Sequence, residues 1–217
     1  MNLDWAWLNR NLSEILSLLG QHALLALIPV VASLIVAVPL GFLVFRSGRA
    51  ANFILAVLGV IYSIPSLALF VALPVLLGTT ILNPVNVAVA LTIYSVALLV
   101  RSVVDGLRSV PENVKQSASA VGFSRFGRLL RVELPLAMPV IFAGLRVVTV
   151  SNIALVTVAV LVASGGLGQL FLRGYNSIFY TPLIAGLVLT VLLALVADGI
   201  ILLIQRGTLP WARGRRA

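Results

Sequence analysis

Residues 50–100 read AANFILAVLGVIYSIPSLALFVALPVLLGTTILNPVNVAVALTIYSVALLV and contain no Asp, Glu, Lys or Arg. At 1.5 Å of rise per residue, this stretch makes about 77 Å of helix, enough to cross a roughly 30 Å hydrocarbon core twice. Further charge-free stretches separate Glu14 from Arg46, Arg146 from Arg173, and Arg173 from Asp198. One double gap and three single ones predict five membrane spans, at 23–45, 51–73, 87–104, 136–162 and 182–204. Pro65 and Pro74 interrupt the second. A broken helix, or a helix followed by a buried re-entrant turn, therefore competes there with a straight rod.

The whole chain agrees with this reading. Of its 217 residues 61% are apolar and only 10% charged, and the mean hydropathy is +1.15. Soluble domains carry about 45–50% apolar and about 25% charged residues, so a soluble globular protein and a disordered chain are both excluded. The expected fold class is an all-α polytopic membrane protein, one transmembrane domain over residues 1–217. The absence of cysteine excludes disulfides and thiolate metal sites, and a lone His22 excludes histidine clusters, so no metal site is expected. The first apolar run follows Asp4 and Glu14, not a basic segment, and no small-residue cleavage site follows it. It reads as a retained span, not a signal peptide.

Orientation follows from the basic residues, which stay on the cytoplasmic side. Arg46 and Arg49 occupy one short loop. Arg101, Arg108, Lys115, Arg125, Arg128 and Arg131 belong to a long one, and Arg206, Arg213, Arg215 and Arg216 to the tail, together twelve of the 15 Lys and Arg. Arg10 and Arg173 fall on the opposite side and Arg146 inside a span. The N-terminus is expected outside and the C-terminus inside. The net charge of +9 then reflects topology and contact with anionic lipid headgroups, and no nucleic acid partner is expected.

The long loop, residues 109–133, carries the most local information. Ser109 followed by Glu112 fits a capping box, Pro111 is tolerated in a first turn, and Gly122 fits a C-terminal cap, so a short helix is expected between them. Its periodicity places Val114, Ala118 and Val121 on one face and turns Lys115, Gln116 and Ser119 away. Ser124 can cap a second short helix in which Phe126, Leu129 and Leu130 share a face, while Arg125 and Arg128 project elsewhere. Glu133, Leu134 and Pro135 lead into the fourth span. Two surface helices joined by a tight turn at Gly122 make a compact knob, shaped to enter a groove on another protein.

The spacing of Gln116-Ser117-Ala118, Gly122, Val132 and Leu134-Pro135 resembles the Glu-Ala-Ala, Gly, Ile, Leu-Pro pattern of binding-protein-dependent ABC importer permeases. Gln116 stands where that family has Glu, and Ser117 where it has its first Ala, so a neutral hydrogen bond replaces any salt bridge expected from the family. Tyr62-Ser63-Ile64-Pro65-Ser66-Leu67-Ala68-Leu69, the run from Arg131 to Pro139, and Ala163-Ser164-Gly165-Gly166-Leu167-Gly168 look like the osmoprotectant branch, which imports glycine betaine, choline, carnitine and related amines. Methionine importer permeases share the five-span plan and the loop, and are the alternative within the family.

The resemblance implies a permease domain in a bacterial inner membrane, with the loop at 109–133 as its coupling element. ATPase docking would fall to Gln116, Ser117, Ala118, Ala120, Gly122, Arg125, Leu134 and Pro135. It implies as partners two ATP-binding subunits carrying ATP and magnesium, a second permease chain, identical or paralogous, and an external solute-binding protein. No cofactor and no ATPase activity are expected on this chain. Gly122, Gly127 and their neighbours lack the Lys and Ser or Thr of a phosphate loop. Gly165, Gly166 and Gly168 are expected to form an outer turn ending the fourth span, with room in the resemblance for a gate or a binding-protein contact.

Within the spans, Tyr62, Ser63, Pro65, Tyr94 and Asn152 are candidates for the path or gate. The aromatic faces of Tyr62, Phe70 and Tyr94 offer cation–π attraction to a quaternary ammonium, although packing is the commoner use of such rings. Arg146 and Asp198 are the charges set deep inside spans, about 15 Å and about 10 Å from the same end, so a structural ion pair is expected, with a role in the path or gate and snorkelling of Arg146 as the alternatives. The rival from another class is a self-sufficient secondary carrier or channel, which would couple through ionisable or helix-breaking residues near the midplane. Asp198 as the lone intramembrane carboxylate weakens it, and the Pro65 break favours it.

Overall fold

The computed structural model describes residues 3–162 and 165–211, and every regular element among them is helical. The order is α1 (Trp5–Arg10), α2 (Leu12–Arg46), α3 (Ala50–Ser63), α4 (Ser66–Leu77), α5 (Pro84–Arg108), α6 (Glu112–Ala120), α7 (Arg125–Arg128), a π-helical turn (Leu129–Glu133), α8 (Leu134–Ala159), α9 (Gly168–Asn176) and α10 (Tyr180–Thr208). Four helical segments are long and apolar enough to span a membrane: Leu12–Arg46, Pro84–Arg108, Arg125–Ala159 and Tyr180–Thr208. The bent pair of α3 and α4, counted as one span, makes the fifth. Four or five spans result, the expected five being reached with the bent pair as one, and the second segment is broken at Ile64 and Pro65 by 94°, as a broken span or a re-entrant loop would be, not straight.

The helices overrun the apolar windows. α2 starts eleven residues before the run at 23–45, because its first turns, with Glu14, Ser17 and Gln21, stay helical while leaving the apolar layer. It also runs through Pro29 and Pro39, as membrane helices can when neighbours satisfy the freed carbonyls. The fourth span ends at Ala159 instead of 162. There Leu161 and Val162 bond three residues back, the tightening that closes a helix.

Two compact units are distinguishable, one formed by Met1–Ala32, Ile64–Ser95 and Thr149–Asp198, the other by Ser33–Ser63, Val96–Val148 and Gly199–Ala217. The long helices α2, α5, α8 and α10 contribute part of their length to each. In the first unit Ala26, Phe70, Leu73, Val87, Leu91, Ile153 and Val156 form one core, and Ile15, Leu18, Leu167 and Leu170 a second. In the other unit Val103, Leu107, Leu129, Ala137 and Ile141 pack together. Small residues let its backbones approach. A Cβ on Gly41 would collide with Val103, and one on Gly144 with Ser102. Phe70 and Tyr94 are core side chains, so neither offers an open ring face to a cation.

The spans differ in how much of their apolar surface the chain itself covers. In α5, 56% of the most apolar window is buried, whereas in α10 only 11% is. An almost uncovered apolar helix needs lipid or another membrane chain against it.

Candidate functional site

The loop between α5 and α8 is built much as its sequence suggests at two points. At the end of α6, Phe123 N–H reaches Ala118 C=O and Gly122 N–H reaches Ser119 C=O, each at 3.1 Å, with Gly122 at φ +93°. That double bond pattern is a Schellman termination, which favours glycine at the left-handed position. Ser124 caps α7, its Oγ accepting Gly127 N–H at 3.1 Å. Gln116, Ser117, Ala120, Gly122 and Arg125 are exposed, while Leu134 and Pro135 are half-buried.

Four expectations about this loop are corrected. Ser109 does not close a capping box: its hydroxyl donates to Gly106 C=O at 2.8 Å, and Pro111 is the cap of α6 without a side-chain bond. Lys115 turns inward instead of away, 14% exposed, with its ammonium 5.7 Å from the Phe45 ring centre and 3.5 Å from Glu112. A long aliphatic stem favours this, since it can bury itself and carry the charge to a ring face. Ala118, expected among the docking residues, is buried and forms the base of the knob.

The fourth correction concerns the apolar side chains themselves. Of the two expected faces only Ala118 and Leu129 are buried and Val114 partly so, whereas Val121 is 80% exposed, Phe126 64% and Leu130 46%, and neighbouring Phe123 is 36% exposed. α7 is a single turn that continues into α8, so Phe126 and Leu130 have no surface of this chain to cover. These side chains rim a groove of about 550 Å3 reaching from Val121 to Arg131. Phenylalanine and leucine left bare on a polar loop mark a surface meant for another molecule.

Sequence reasoning passed over Glu133. Its carboxylate is 4% exposed and accepts Arg128 Nε–H at 2.7 Å, while Arg128 Nη1 donates to Ser119 Oγ at 2.7 Å. In an α-helix, partners lie three or four residues apart. The spacing of five hid the pair, and the π-helical turn creates it.

The candidates within the spans fall into separate surroundings. Tyr94 donates to Ile64 C=O at 2.7 Å, which ties α5 to the break before α4. Pro65 caps α4, and Ser63 Oγ donates back to Val60 C=O at the end of α3. Tyr62 is 41% exposed. Asn152 is buried, with Nδ2 donating to Ser95 Oγ at 2.9 Å and to Ala26 C=O at 3.4 Å, so it joins α8, α5 and α2. Arg146 in α8 and Asp198 in α10 are half-buried. Ala163 and Ser164, and Arg213, Arg215 and Arg216 of the tail, lie outside the described residues.

His22 ties helices together. It is fully buried, its Nδ1 accepts Leu167 N–H at 3.1 Å, and Nε2–H donates to Ile153 C=O at 2.9 Å. This assigns the Nε2-protonated tautomer and holds the turn after α8 onto α2. Arg173 of α9 reaches Glu14 of α2, Nη1 to Oε2 at 3.0 Å.

Residues 30–209 match the model of the family described as binding-protein-dependent transport system inner membrane component. This chain belongs to that family. As a member it is an inner-membrane permease component of an ABC-type importer, multi-pass by its helices. It is 34% identical over 212 residues to the glycine betaine/carnitine/choline transport system permease protein OpuCB of Bacillus subtilis, covering 97% of this chain and 95% of that one. The choline transport system permease protein OpuBB of Bacillus subtilis is 35% identical over 94% of this chain and 93% of its own length. The osmoprotectant import permease protein OsmW of Salmonella typhimurium is 36% identical over 87% and 88%.

Among solved structures, this family member matches a chain of the inward-facing MetNI methionine ABC transporter with a TM-score of 0.74 and 20% identity, over 96% of this chain and 99% of that one. At that identity the match shows the fold, and the methionine alternative gains nothing further from it.

Proposed function

We propose that this chain is the permease of an ATP-driven importer for quaternary-amine osmoprotectants such as glycine betaine, choline or carnitine. The substrate class rests on relatives about as similar as 34–36% over nearly the whole chain, each bearing an osmoprotectant, choline or betaine transport name. The docking role rests on one observation, the exposed apolar groove of Val121, Phe123, Phe126 and Leu130 beside exposed Gln116 and Ser117.

In this reading the chain has its N-terminus outside and its C-terminus in the cytoplasm, which places the loop where an ATP-binding subunit can receive it. Two such subunits, binding ATP and magnesium, serve two permease chains, identical or paralogous. Their closure draws the two knobs together and exchanges an inward-facing for an outward-facing pathway. An external binding protein delivers solute, and hydrolysis resets the cycle. Gln116 contributes a neutral hydrogen bond at the docking surface, and the apolar rim supplies burial, worth about 25 cal/mol per Å2 removed from water.

The test is uptake of labelled glycine betaine and choline into proteoliposomes that hold the purified complex and enclose ATP, with binding protein outside. Uptake that requires enclosed ATP and ignores an imposed proton gradient is the expected result. Uptake driven by the gradient without ATP would favour the secondary carrier instead.

A further inference from the structure

The π-helical turn at Leu129–Glu133 joins the loop to the fourth span, and its neighbours explain why it is π and not α. Pro135 carries no N–H, and its ring would press on the carbonyl four residues back, that of Arg131. The chain widens instead: Leu134 N–H bonds to Leu129 C=O, five residues back. Residues five apart lie about 140° around an α-helix and cannot meet. Across the wider turn Arg128 and Glu133 do meet, at 2.7 Å.

The second arm of Arg128 gives the pair its reach. Nη1 donates to Ser119 Oγ near the end of α6, so one guanidinium holds the knob on one side and the buried Glu133 on the other. Planar guanidinium geometry permits both bonds at once. A buried carboxylate without its partner is costly, and this favours the closed arrangement. The junction would otherwise consist of the turn at Gly122, one helical turn of α7 and a widened turn, which is a place for motion to be lost.

We propose that Arg128, Glu133 and Ser119 form a clasp that makes α6 and the start of α8 one rigid body, so that displacement of the knob reaches the fourth span undiminished. They are positioning residues that act through the loop, and the transport half of the proposal rests on the importer reading above.

The chain contains no cysteine, so Asn113→Cys on α6 and Val147→Cys on α8, both at exposed positions, give a unique spin-label pair from knob to span. Distances would be measured by double electron–electron resonance on the full chain with its co-purified subunits in nanodiscs, with and without ATP. The native chain should give a single narrow distance in both states. Arg128→Lys reaches Glu133 or Ser119 but not both, and Pro135→Ala lets the turn close to α; each should broaden the distribution at least twofold. Ser119→Ala, which removes only an exposed hydroxyl, should broaden it less, and it carries the comparison alone if Arg128→Lys does not fold.

In proteoliposomes Arg128→Lys should retain its ATP-binding subunit and lower labelled glycine betaine uptake per ATP hydrolysed by threefold or more. Equal widths in native and variants would overturn the clasp, and so would an unchanged uptake-to-hydrolysis ratio. Loss of the subunit from Arg128→Lys at native width would overturn it too, making Arg128 a docking residue. If the native chain brings down no ATP-binding subunit, the importer reading has failed, and the widths still decide whether knob and span move as one.

Discussion

Two turns of this chain use the same backbone device in opposite surroundings. Gly122 ends α6 at φ +93°, and a Cβ there would meet no atom within 4 Å. Gly165 and Gly166, at φ +107° and +81°, sit against Gln21 and His22, with a Cβ on Gly166 only 3.2 Å from His22 Nδ1. Both sites need glycine for its access to positive φ. The first turn faces outward and leaves apolar side chains bare, whereas the second is clamped from inside by a buried histidine. An outward-facing turn with its own internal bonds is suited to meeting a partner, and an inward-facing one to holding helices in register.

The contrast breaks most sharply at His22. His22→Ala leaves the Leu167 N–H without its acceptor and opens a cavity, so the chain should lose about 3 kcal/mol, read as a drop in thermal unfolding in detergent. Gly166→Ala should cost about 2 kcal/mol by the same assay, from strained φ and the approach to His22 together. Gly122→Ala carries the strain alone, in open space, and should cost about 1 kcal/mol. If Gly166→Ala proved no worse than Gly122→Ala, the two turns would not differ as described.

The smallest stability effect should come with a clear functional one. Gln116 is exposed, so Gln116→Ala should shift stability by less than about 0.5 kcal/mol. ATP-driven uptake should nonetheless fall severalfold if Gln116 meets the ATP-binding subunit. Unchanged uptake in a well-folded Gln116→Ala complex would remove that residue from the docking surface.

What the sequence revealed follows from the range of each interaction. Span number came from charge spacing, which the bilayer imposes on every crossing, and the Gly122 and Ser124 caps came from local hydrogen bonds a few residues long. The resemblance through Gln116, Gly122 and Leu134-Pro135 added the family. Which apolar side chains are covered was not legible, because periodicity assigns Phe126 and Leu130 a shared face without saying whether anything lies under it. Lys115 over Phe45 and His22 under Leu167 join residues 70 and 145 positions apart, beyond any local rule. Glu133 was close enough in sequence to Arg128 but lay at a spacing that only a π-turn makes useful.

The central claim is that the exposed rim of the loop is the docking surface for a separate ATP-binding subunit. The most direct measurement is to purify the tagged chain from its native membrane in mild detergent and identify what accompanies it by mass spectrometry, beside a Phe126→Asp variant of equal monodispersity. The account predicts an ATP-binding subunit with the native chain and its loss from the variant, since a carboxylate at a 64% exposed position leaves the fold intact and spoils an apolar contact. Recovery of the native chain alone, or equal retention of the subunit by both, would contradict it.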